Sequence, residues 1–207
     1  MHRYILIGLF LAMSSFSIAA TDEPKHSVVS KEGDFEIRRY QSMIIAEVVV
    51  NGDMGNASSK GFRPLAGFIF GDNQAVKEIE MTAPVTRAQS TKIEMTAPVT
   101  RVENTERNDG SWTVAFVMPE SWTMETLPKP NNKDISIREV PERLVASIQF
   151  SGRGNEKAHR KNQTKLEQWI KDQGYQIAGQ IQYAGYDAPW VPWPLRRNEV
   201  MIEVAMK

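Results

Sequence analysis

Two spacings of apolar side chains alternate along the chain. In Asp34 to Tyr40, Phe35 and Ile37 are separated by Glu36 and followed by Arg38, and the run Ser42 to Val50 is β-branched and apolar. A period of two marks a strand with one buried face, and β-branched residues favour the pleated surface. Asn51-Gly52-Asp53 then reads as a turn. Further strands are predicted at Trp112 to Met118, from Ile135 to Glu139, at Leu144 to Phe150, Tyr175 to Tyr186 and Asn198 to Ala205. The period changes twice. Over Asn56 to Gly71, Phe62, Leu65, Ala66 and Ile69 share one helical face, with Ser58 or Ser59 as start signal and Gly71 as stop. Over Asn155 to Gln173, Leu166, Trp169 and Ile170 form a second stripe, ended by Gly174. Gly61, Pro64 and Gly67 lower the helical propensity of the first stretch. They imply close approach of something flat, or tight packing of helix on sheet.

Between the helices one phrase is written twice. Ile-Glu-Met-Thr-Ala-Pro-Val-Thr-Arg fills residues 79–87 and again 93–101. Ile79, Met81, Ala83 and Val85, then Ile93, Met95, Ala97 and Val99, alternate with polar residues or proline. Pro84 and Pro98 cannot donate to a ladder, so each copy belongs at a sheet edge, a bulge or a strand end. Two readings stand: a repeated edge strand with methionine filling the core, or a methionine-lined rim of an apolar pocket. The element order is strand–strand–helix with strands after it, then a second helix with strands after it. This predicts an α+β fold whose antiparallel, barrel-like sheet has two similar halves, each with one flanking helix.

The first residues are of another kind. His2 and Arg3 precede the apolar run Tyr4 to Met13, and Ser17-Ile18-Ala19-Ala20 follows. A basic start, a short apolar centre and a small-residue exit describe a secretory signal peptide, here residues 1–19, with an uncleaved anchor as the rival reading. Residues 20–33 read as a polar linker and 34–207 as one domain. The expected location is periplasmic or secreted, with no stable membrane insertion after cleavage. The chain has 25 basic and 25 acidic side chains, a balance that gives no basic surface for nucleic acid. It has no cysteine, which excludes disulfides, thiolate metal sites and cysteine nucleophiles.

Little of the remaining sequence points to catalysis. His26 lies in the linker. His159 stands seven residues before Leu166, roughly 20° away around the helix, and so shares its apolar stripe. Metal-ligand spacing, a nucleophile elbow and a phosphate loop are all missing. Glu80 and Glu94 lie on the polar side of their phrase. No catalytic or metal-binding residue is expected. The one dense aromatic signal is Tyr183, Tyr186, Trp190 and Trp193 in a proline-rich stretch followed by Arg196 and Arg197. Such a loop can wall an apolar pocket while arginines meet carboxylates, or it can cap the sheet with its arginines in surface ion pairs.

The ordered set Phe-Glu-Ile-Arg-Arg-Tyr (35–40), Ala-Ser-Ser-Lys-Gly-Phe-Arg-Pro-Leu-Ala (57–66), Ile-Phe-Gly-Asp-Asn (69–73), Met-Thr-Ala-Pro-Val (81–85 and 95–99), Phe-Ser-Gly (150–152) and Arg-Arg-Asn-Glu-Val (196–200) resembles the SOUL haem-binding protein family over nearly the whole mature chain. The resemblance implies a non-enzymatic protein that takes haem or a related tetrapyrrole between the first helix and the loop before the last strand. The alternative is a small-molecule carrier or effector-binding module without haem specificity. Carried onto this chain, the site is Phe62, Arg63, Leu65, Ala66 and Ile69 on the helix, Trp190, Val191 and Trp193 on the loop, Met81 and Met95 of the doubled phrase, and Arg196 and Arg197 toward the propionates. Some members place a histidine, proposed as an axial ligand, where this chain has Arg39. Ser59 and Gly67 stand where helix cations are expected. The implied haem is therefore held by apolar contact without an axial histidine.

Overall fold

The computed structural model describes residues 22–75, 90–107, 109–188 and 190–207. Residues 1–19, read as a signal peptide, and the first copy of the doubled phrase, with Met81, lie outside the described residues. The elements run β1 (His26–Glu32), β2 (Phe35–Tyr40), β3 (Met43–Asn51), α1 (Met54–Ile69), β4 (Asn73–Gln74), β5 (Val99–Glu103), β6 (Ser111–Val117), β7 (Lys129–Pro130), β8 (Ile135–Val140), β9 (Arg143–Ser151), α2 (Glu156–Asp172), β10 (Tyr175–Gly185), a 3-10 turn (Trp193–Leu195) and β11 (Arg197–Met206).

Among the described residues, nine strands form one antiparallel sheet in the order β1-β2-β9-β11-β10-β5-β6-β3-β8, while β4 and β7 pair separately. The α+β class, the antiparallel sheet and its two helix-bearing halves are as the sequence predicts. The sheet is open: it ends at β1 and β8 rather than closing into a barrel. The halves interlock, since β2 pairs with β9 and β8 pairs with β3. Equivalent positions differ by 100 in number, as in Arg38 and Arg138, Ala46 and Ala146, Gly52 and Gly152.

Alternation assigns the two faces of the sheet. Ala46, Val48, Val114 and Phe116 face α1, forming a core with Leu65, Phe68 and Ile69. Ile37, Ala146, Ile148, Val200 and Ile202 face α2, forming a core with Leu166, Trp169 and Ile170. The intervening residues, among them Ile45, Ala115, Val145 and Met201, point to the opposite face.

Both helices begin on a side-chain cap. Asp53 accepts from the Asn56 amide at 2.8 Å, and Asn155 accepts from the Ala158 amide at 2.9 Å. The first cap is thus Asp53, earlier than Ser58 or Ser59. Gly61 settles one of the glycine readings. A Cβ there would stand 2.4 Å from Val114 Cγ2, so the glycine lets α1 seat closely on β6.

Two stretches depart from their pattern. Residues 26–32, within the stretch read as a linker, pair with β2, and Glu32 accepts from Trp169 Nε1 at 2.7 Å to hold β1 against α2. The second copy of the phrase is strand only from Val99 onward. Met95 is exposed and Thr96 buried, reversing the expected alternation, because Thr96 pairs with Asp22 as an isolated bridge and its hydroxyl donates to the Val117 carbonyl.

Candidate functional site: a furrow between the helices

Helix α1 lies on β3 and β6, and α2 lies on β9, β10 and β11. In the sheet order, β5 runs between these two seats. Strand register sets Phe116, Val99, Gly185 and Asn198 in one row across four adjacent strands. Three strand spacings separate its ends, roughly 14 Å. Phe62 of α1 stands edge-on over Phe116 at 5.3 Å, forming one wall. At Gly185 an added Cβ would meet nothing within 4 Å, so the floor there is bare.

The other wall is built where β9 runs into α2. Asn198 donates to the Gly152 carbonyl at 3.0 Å, and Arg153 stacks over Trp193 at 5.4 Å. Arg196 Nε donates to the Val191 carbonyl at 2.8 Å, pinning the proline-rich loop to itself. Trp193 is 51% exposed and Trp190 is 84% exposed.

The next row of the floor is polar. Arg101 and Tyr183 face each other across β5 and β10. Arg101 is 8% exposed, yet no carboxylate among the described residues pairs with it. Its contacts are long: 3.5 Å to the Met54 carbonyl and 3.4 Å to Ser58 Oγ. Burial pushes the guanidinium below its ordinary pKa. A buried cation without a counter-ion is costly, and such groups mark places where a ligand completes the pairing.

His159 lies beside this row, fully buried, with its ring edge-on to Phe150 and Tyr183 at 5.2 Å each. Nδ1 donates to the Asn155 carbonyl at 3.0 Å, which leaves Nε2 as a lone pair without a partner. Burial first, and the charge of Arg101 second, push the imidazole down to about 4, so it is neutral at pH 7. A neutral imidazole anchored through Nδ1 has the electronic form of a metal ligand. Full burial, however, screens Nε2 from anything in the furrow. Among the described residues no cluster of His, Asp or Glu could hold a metal ion.

The residues predicted for the site divide into groups. Phe62 is exposed on α1 over Phe116, and Trp193 and Trp190 are exposed on the loop that follows β10. Leu65 and Ile69 are fully buried against the sheet, with Ala66 half-buried above them, while Arg63 faces solvent. Met95 is on the surface. Arg197 is placed on the opposite face, where it donates to Glu199 from Nη2 at 2.7 Å and from Nε at 3.1 Å. There Arg38 forks onto the same buried carboxylate at 2.7 and 3.1 Å, and the Tyr186 hydroxyl donates at 2.7 Å. Burial raises the Glu199 pKa, but the hydrogen bonds and charges of Arg38, with Arg197 and Tyr186, outweigh it and hold the carboxyl below its usual range. Arg39 is exposed and pairs with Glu142 at 3.1 Å. The residue that sequence reading passed over is Arg101. It continues the odd-numbered series Ile93, Met95, Ala97 and Val99, so a charge at an apolar position was the available signal.

With this geometry in view, comparison with known proteins is specific. The model of the SOUL heme-binding protein family matches residues 21–203. The chain therefore belongs to that family. Two relatives are each called Heme-binding protein 2. The one from Mus musculus is 23% identical, with 83% of this chain and 82% of that protein covered. The one from Homo sapiens is 26% identical, with 82% and 78% covered. Among solved structures, the EcmrR C-terminal domain superposes with a TM-score of 0.58 at 13% identity, covering 84% of this chain and 98% of that one. A hydrolase from Listeria innocua gives 0.55 at 11% identity, covering 86% and 94%. These two likenesses concern the fold. Among the described residues no helix is long and apolar enough to cross a membrane.

Proposed function

We propose that this protein is an exported, non-enzymatic carrier that binds haem or a related tetrapyrrole reversibly in the furrow between α1 and the loop at residues 190–195. The family supports the ligand class. The observation that carries the assignment to this furrow is Arg101, a buried guanidinium with no carboxylate partner among the described residues, one row beyond the bare floor at Val99 and Gly185. A macrocycle lying over that floor touches Phe62 on one edge and Trp193 on the other, and a propionate directed along the floor reaches Arg101. Apolar burial at about 25 cal/mol per Å² supplies enough free energy for micromolar binding of a porphyrin-sized face. The bound group would supply a flat conjugated ring and its propionates; the chain supplies the two aromatic walls and one cation. The screened Nε2 of His159 gives iron no ligand, so recognition rests on the ring.

Titration of the mature protein with haemin tests this reading. The expected result is a saturable Soret shift, weakened about tenfold or more by Phe62→Ala or Trp193→Ala, with iron-free protoporphyrin binding within a few-fold of haemin. An unsaturable titration, or equal binding by both variants, contradicts it. For export, N-terminal sequencing of protein from its native compartment should begin at residue 20 or 21; a chain starting at Met1 contradicts it.

A further inference from the structure

On the face of the sheet turned away from both helices lies a second cavity of about 200 Å³. It is separate from the furrow, and the sheet itself stands between them. Its floor joins two small buried clusters: Ile45, Ala115 and Val140 in one, and Tyr40, Val145, Ala184 and Met201 in the other, with Met43 touching both.

The polar groups on its walls are unevenly matched. Glu47 is already held by Arg138 through two hydrogen bonds at 3.0 and 3.1 Å. Arg143 also lines the cavity. One of its terminal nitrogens is 3.5 Å from Glu203, but its Nε is buried with no acceptor. The Gln182 amide and the Thr100 hydroxyl line the same cavity and have no hydrogen-bond partner among the described residues. Arg143 meets a single carboxylate at 3.5 Å, and the two neutral side chains beside it can each donate to an acceptor in the cavity. The wall thus has donors to spare and no free carboxylate, a bias toward an anion.

We propose that this cavity is a second ligand site, for a compact carboxylate with an apolar body. The carboxylate faces the Arg143 guanidinium, with Gln182 and Thr100 as hydrogen-bond donors, and the body rests on Met43, Ala115 and Met201. The size fixes the class. About 200 Å³ lies below the range of roughly 300–1,000 Å³ that holds drug-sized molecules. A single aromatic ring with a short acid arm fits, and a tetrapyrrole does not.

Isothermal titration of the mature protein with 3-phenylpropionate, and in parallel with 3-phenylpropan-1-ol, tests the proposal. The acid should bind saturably and at least tenfold tighter than the alcohol. Arg143→Met should abolish that preference. Ala115→Phe, which fills the cavity without touching a charge, should abolish binding of the acid while the haemin titration is unchanged. Circular dichroism identifies any variant that fails to fold; Thr100→Val then serves as a milder change, expected to weaken the acid several-fold. Equal affinity for acid and alcohol, binding that survives Ala115→Phe, or no saturable binding of the acid at millimolar concentration each overturns the proposal. Loss of haemin binding alone bears on the furrow and leaves this site standing.

Discussion

The two halves of this molecule share one plan and differ in where they place charge. Arg38 and Arg138 occupy equivalent positions on β2 and β8, and both fork onto a glutamate across the sheet. Arg38 and Glu199 are buried at 3% and 0% exposure, whereas the Arg138 side chain is 54% exposed over Glu47. The same contrast recurs at Met43 and Arg143, one apolar and one charged at matching places around the same cavity. It recurs between the helices. α1 sits directly on the sheet through Gly61, while α2 lays His159 over Tyr183. A duplicated frame therefore does not carry a duplicated chemistry. The first half supplies one wall and the cationic floor of the furrow, and the second supplies the aromatic loop and the buried histidine.

The largest expected effect tests the arginine contrast. Glu199→Gln leaves Arg38 and Arg197 facing a neutral amide in the interior, and unfolding experiments should show a loss of about 3–5 kcal/mol. Glu47→Gln, at the equivalent exposed pair, should cost less than about 1 kcal/mol. Comparable losses at both places would break the comparison.

Next in size is a pH effect confined to the second half. The folded-state pKa of His159 is depressed to about 4, below its unfolded value near 6.5, so the unfolded chain binds the extra proton first as pH falls. The resulting stability is complete above about pH 6.5 and is lost on acidification toward pH 4, up to about 3 kcal/mol. Arg101 and Arg160 both oppose the charged imidazole, adding to the burial term. Denaturant melts at pH 7 and pH 4.5 should differ by most of this amount, and His159→Phe should flatten the difference.

A smaller effect tests the seat of α1. Gly61→Ala forces a Cβ toward Val114 and should destabilise by about 1–3 kcal/mol, with partial recovery in the Gly61→Ala/Val114→Ala pair. An unchanged melting temperature in Gly61→Ala would remove the close-packing account. Smallest is the cap of α2, where Asn155→Ala should cost about 1 kcal/mol.

Much of this frame was legible from local pattern. The strands from Phe35 to Asn51 and from Ile135 to Ser151 show their alternation openly, because one face of each packs under a helix. β1 was not legible, since its side chains are mostly exposed and no alternation is imposed on it. Which strands pair was also out of reach. The crossing of β2 to β9 and β8 to β3 joins residues far apart in the chain, such as Phe35 with Ile148 and Val48 with Ile135, and no turn signal encodes it. At the furrow, Phe62 and Trp193 stood out as large apolar residues, while Leu65 and Ile69 share the helical stripe of Phe62 but face inward. Periodicity names a face without saying what covers it. Arg197 looked available because sequence shows a charge and not its partner. Arg101 was masked by the repetition of its phrase, which drew attention to the methionines instead.

The central claim is that Arg101 receives a propionate in the furrow, and one comparison addresses it directly. Haemin and haemin dimethyl ester, which has both carboxylates masked, are titrated into the mature protein and into Arg101→Met. The account predicts that the parent protein prefers the free acid by about tenfold or more and that Arg101→Met binds the two alike. Equal affinities in the parent protein, or a preference that persists without Arg101, would contradict it.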